Sequence, residues 1–139
     1  MFYATGGKDG AIWKAEPGME PVRIVSGNYN QPVITPDGRW LVAIKWVTKE
    51  GEISRQLIRR NLRSGEEFVV KSTQNEFDHQ LVYVAAHGKV LVLNSSFQMN
   101  VERIKSYLLD PGTGTIQPVK GEFRPLIDSV SRAPQSAGA

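Results

Sequence analysis

Few residues in this chain have the types and spacing that chemistry needs. There are two histidines, His79 and His87, and no cysteine. A hydrolytic nucleophile needs a base within hydrogen-bond reach and a third group that orients the base. No serine stands in a G-x-S-x-G elbow. Asp78 directly precedes His79, and adjacent side chains on a strand point to opposite faces, so the two do not make a dyad. Metal chemistry has as little to work with: there is no EF-hand loop and no H-E-x-x-H. Asp9 in GGKDG and Asp110 before GTGT offer backbone groups to a cation or phosphate. Glycine-rich stretches of this kind are far more often plain turns, and both are read so. Glu66 and Glu67 form a carboxylate pair beside a turn glycine, which reads as solvated. This inventory predicts a chain that is not an enzyme and that has no cofactor and no metal.

The charge pattern narrows the partners. The net charge is +3, and the pI is about 9.3. The densest basic cluster is Arg55, Arg59, Arg60 and Arg63. A nucleic-acid footprint is normally stronger and tied to a recognisable module, so this cluster reads as a solvated strand edge and turn, with no nucleic-acid partner. No apolar run reaches spanning length, so no membrane insertion is expected. The opening MFYATGGKDG shows no signal peptide, and the composition suits cytoplasm or periplasm.

The elements that must position these residues are strands. The runs AIWKAEPGMEPVRIV, QLIRRNLRSGEEFVV and KSYLLDPGTGTIQPV share one plan of strand, glycine-centred turn, strand. Their glycines, Gly18, Gly65 and Gly114, lie about 47–49 residues apart, a spacing typical of propeller blades. VITPDGRWLVAIKW and LVYVAAHGKVLVLN form a second series, with turns at Pro36–Gly38 and Ala86–Gly88, about 50 residues apart. Aligned, the repeats give four-stranded units with strands a to d. The chain then reads as bcd, abcd, abcd, a. The expected class is all-β and β-propeller-like, with about three four-stranded antiparallel blades, half of a six-bladed ring. Blade 1 covers about 2–26 and is completed by 122–128. Blade 2 covers about 31–72 and blade 3 about 78–121. Residues 129–139 read as a flexible tail.

The segment Thr35-Pro36-Asp37-Gly38-Arg39-Trp40, inside VITPDGRWLVAIKW, resembles the WD40-like PD40 repeat of TolB-type propellers. LLDPGTGTIQPV resembles the strand c to strand d turn of the same family. The second a-to-b turn departs from the pattern, with Ala86 and His87 where the motif has Pro and Asp. The resemblance implies a propeller over about residues 2–128. Such blades occur in periplasmic binding proteins, in sensor domains of bacterial kinases and in prolyl-oligopeptidase-like peptidases.

Strand a lines the channel in that architecture. The channel-mouth candidates for ligand binding are therefore Tyr29, Gln31, His79, Gln80 and Arg124. The leading expectation is a non-catalytic binding or scaffold module that presents loops to a protein or small ligand. The alternative is the propeller portion of a larger hydrolase or sensor kinase. Three blades do not close a ring easily, so a homo-oligomer is expected, most simply a dimer. A longer parent chain would serve the same end.

Overall fold

The structure, a computed structural model, describes residues 1–7, 9–72, 78–95 and 105–119. Within them the chain forms strands and turns, and no helix. The strands are β1 (Phe2–Thr5), β2 (Ala11–Lys14), β3 (Val22–Ser26), β4 (Tyr29–Ile34), β5 (Trp40–Lys49) and β6 (Glu52–Asn61). They continue as β7 (Glu67–Ser72), β8 (Asp78–Val84), β9 (Lys89–Ser95), β10 (Lys105–Leu109) and β11 (Ile116–Pro118).

Three antiparallel sheets result, ordered β1-β2-β3, β4-β5-β6-β7 and β8-β9-β10-β11. This is the bcd, abcd, abcd order read from the repeats. The strand expected to complete the first sheet, 122–128, and the tail, 129–139, lie outside the described residues.

Both turn series close as hairpins. Gly38 N–H donates to the Thr35 carbonyl at 2.8 Å, and Thr35 N–H donates to the Trp40 carbonyl at 2.9 Å. Pro36 presets φ at the second position of that turn. Gly38 follows at φ 74°, the left-handed residue that lets the hairpin keep its twist. Asp37 Oδ1 holds the turn by accepting from Thr35 Oγ1 at 2.5 Å and Arg39 N–H at 3.0 Å. The glycine-centred turns of Gly65 and Gly114 repeat one another in detail. Asn61 Oδ1 accepts from Arg63 N–H and Ser64 N–H. Asp110 Oδ1 accepts from Gly112 N–H and Thr113 N–H. In each turn the closing glycine donates back at 2.8 Å, Gly65 to Asn61 and Gly114 to Asp110. Asp110 is thereby satisfied inside its own turn.

The sheets stack face to face. Side chains alternate along a strand, so β5 feeds two cores. Leu41 and Ala43 join Ile12, Val25, Tyr29 and Ile58 between the first and second sheets. Val42 and Ile44 join Leu57, Leu81, Val90, Val92, Tyr107 and Leu109 between the second and third. This two-sided burial explains why Leu41 to Ile44 is a continuous apolar run rather than an alternating one. The innermost strands β4 and β8 lie side by side, and β1 packs on β4.

Candidate functional site

The densest polar cluster is built from all four strands of the second sheet. Tyr29 opens β4 and turns its ring into the core facing the first sheet, with 3% of its surface exposed. Its hydroxyl donates to Glu67 Oε1 on β7. Lys45 on β5 reaches Glu67 Oε2 at 2.7 Å, and Arg60 on β6 reaches Oε1 at 3.5 Å. The Lys45 ammonium also stands 5.6 Å from the Tyr29 ring centre. One carboxylate thus gathers a phenol, an ammonium and a guanidinium.

The electrostatics follow from that geometry. Burial pushes the Glu67 carboxyl up, but the hydrogen bonds from Lys45 and Tyr29 and the two positive charges outweigh it, so the group sits below its ordinary value. Tyr29 is pushed up to about 12, by burial first and then by its bond to Glu67 and that group's negative charge. Neither group titrates near neutral pH, so the pair is poorly placed for general acid–base work there. The cluster is a seam that ties the inner strand of the blade to its outer strand.

A second seam lies on the sheet's other face. The Arg59 guanidinium is 4.2 Å from the Phe68 ring centre and 5.1 Å from that of Trp40. Its NH1 donates to the carbonyls of Pro111 and Gly112 at 3.2 and 3.3 Å. Arg59 therefore fastens the second sheet to the c-to-d turn of the third.

Of the sequence candidates, Tyr29 and Gln31 lie on β4, and His79 and Gln80 on β8. Tyr29 is a buried anchor. Gln31 is exposed on β4, at a register slip between Asn30 and Val33. Gln80 is exposed on β8, opposite Leu93. His79 pairs through its backbone with Asn94 on β9. Arg124 lies outside the described residues. The fold brings the strands of Gln31 and Gln80 together. Among the described residues, no group of three or more His, Cys, Asp or Glu could hold a metal ion.

The solvated reading of Glu67 is corrected: its side chain is 18% exposed and fully engaged. A local signal for half of this was present. The hairpin closed by Gly65 sets Arg60 opposite Glu67, an opposite-charge cross-strand pair. Arg59 and Arg60 likewise leave the solvated cluster in which the sequence grouped them.

Comparison with known proteins bears on the stacked-sheet geometry. No protein-family model matches the chain, and no curated protein matches it. Among solved structures, TolB from Acinetobacter baumannii is similar at a TM-score of 0.59, with 15% sequence identity. The match covers 86% of this chain and 29% of that one. The fold is TolB-like. The three stacked sheets are thus consecutive blades of a partial β-propeller, and β4 and β8 are inner strands. The chain spans under a third of the TolB chain it matches.

Proposed function

We propose that this partial propeller is a non-catalytic binding module, and that its ligand is met on the inner strands. One observation carries the reading. β4 and β8 run side by side at the inner edges of two packed blades, and Asn30, Gln31 and Gln80 on them keep exposed polar side chains. Residues with no role in recognition are free to be small or charged on such a surface. These are neutral carboxamides that both donate and accept hydrogen bonds. Tyr29 holds this surface from beneath. The Thr-Pro-Asp-Gly turn supports assignment to PD40-type repeats.

Photo-crosslinking tests this. A photoreactive residue placed at Gln31 or Gln80 in the full chain is expected to capture a discrete partner in cells. The same residue at Val69 on the outer strand β7 is expected to capture none. Equal capture from the inner and outer positions would refute the inner-strand reading.

A further inference from the structure

Ten described residues have positive φ. Eight are glycines, and the other two are Gln31 at 57° and Glu50 at 53°. Glu50 is explained by its hairpin: with Gly51 at 81° it forms the two-residue turn between β5 and β6 that requires positive φ at both positions. Gln31 has no such excuse. It sits within a strand, and Pro32 follows it, which pushes the preceding residue toward φ of about −120°. A side chain other than glycine is therefore strained there twice over.

Neighbours hold Gln31 in this state. Its N–H donates to Asn30 Oδ1 at 3.0 Å. Tyr29, two residues before it, is pinned through Glu67. Val33 and Ile34 after it pack against opposite cores. The slip in register leaves Gln31 and Pro32 bulging between the Asn30–Ile44 and Val33–Val42 pairs. Bulges re-aim side chains, and strain that the surroundings over-determine concentrates at binding sites. Glycine would relieve the strain and lose only the carboxamide.

We infer that the Gln31 carboxamide is a ligand-contact group, aimed by the bulge to pair with the main chain of an extended peptide. This rests on the inner-strand reading above. A carboxamide presents one donor and one acceptor on a single edge, the complement of a peptide unit. β4 is the inner edge strand of its sheet among the described residues, but Gln31 N–H is taken by Asn30 Oδ1 and Pro32 has none, so at the bulge the Gln31 side chain is left to meet a peptide. No cation or carboxylate stands beside Gln31 in the β4 sequence Tyr-Asn-Gln-Pro-Val-Ile, which fits a neutral ligand group.

The test uses the full chain, the variants Gln31→Gly and Glu50→Gly, and a capped peptide of alternating threonine and valine. Gln31→Gly is expected to raise the melting temperature and to weaken peptide binding about tenfold, the loss of one or two hydrogen bonds. Glu50→Gly is expected to raise the melting temperature and leave binding unchanged. In the wild type, the side-chain amide resonances of Gln31 are expected to shift when peptide is added. A Gln31→Gly chain no more stable than wild type would overturn the strain argument and the assignment with it. Undiminished peptide binding by Gln31→Gly would overturn the contact and leave the inner-strand reading standing. No binding of the peptide by the wild type would also overturn the peptide assignment, whereas the inner-strand reading falls only with the crosslinking result.

Discussion

At the scale of single residues, Glu67 is the most consequential side chain of the second sheet. Its folded acidity is depressed, so its contribution to stability is present above the unfolded carboxyl value and is lost as pH falls through the lower folded value. Tyr29 works in the opposite sense. Its folded pKa is raised to about 12, so its contribution is complete below the ordinary tyrosine value of 10.0 and disappears as pH climbs from there to about 12. Ultraviolet titration is expected to show one tyrosine ionising near 12, and that step is expected to be missing in Tyr29→Phe. Glu67→Ala is expected to cost about 2 kcal/mol, because Lys45 and Arg60 are left partly buried without their anion. Tyr29→Phe is expected to cost about 1 kcal/mol. Denaturant midpoints check both. If Glu67→Ala cost no more than Tyr29→Phe, the carboxylate would not be the hub that its contacts describe.

At the scale of elements, the hairpin glycines divide into two kinds. Gly38 has φ 74°, and a Cβ built on it meets nothing within 4 Å. Gly114 has φ 79°, and a Cβ there lies 2.7 Å from Arg59 Nε. Gly38→Val therefore tests backbone conformation alone and is expected to cost about 1 kcal/mol or slightly more. Gly114→Ala adds displacement of Arg59 from its place between Trp40 and Phe68, and is expected to cost about 2 kcal/mol. Combined with Arg59→Ala, the Gly114→Ala penalty is expected to shrink, since the contact has already gone. Purely additive costs would show that Arg59 does not latch the two blades. The glycines themselves were legible from sequence, because turn chemistry is local. Gly65 and Gly114 stand at matching offsets in their repeats, and both end turns of the same hydrogen-bond pattern. The partner of Gly114 was not legible, because Arg59 comes from another blade.

At the scale of the whole molecule, among the described residues the second sheet is covered on both faces and the first on one. Across the outer face of the first sheet runs the row Tyr3, Trp13 and Arg23, each paired with the next. Arg23 lies 5.2 Å from the Trp13 ring centre, and Trp13 Nε1 donates to Thr5 Oγ1 at 3.1 Å. Tryptophan, tyrosine and arginine are the residues most enriched at the centres of interfaces. In a propeller this flank is where a next blade packs. The purified chain is expected to sediment above its monomer mass of 15.4 kDa, as a dimer, and Trp13→Glu is expected to return it to monomer. A wild-type chain that stays monomeric at micromolar concentration would count against closure by a second copy.

The period of about 50 residues, the positions of the hairpins and the all-β class were determined by sequence alone. Each depends on interactions within a few residues: proline presetting φ, glycine accepting positive φ, and Asn or Asp bonding the next two backbone N–H groups. Strand order followed from the repeats, because consecutive strands joined by short turns must pair with one another. Tertiary structure alone decided which face each residue meets. Glu67 looked solvated until four strands were laid side by side, and Tyr29 looked like a channel residue until its ring entered the core. Gln31 drew no attention to its conformation, because a slip in register belongs to the pairing of β4 with β5. Cross-blade partners such as Arg59 and the Pro111 carbonyl are 52 residues apart, and their meeting is set by how the sheets stack and twist.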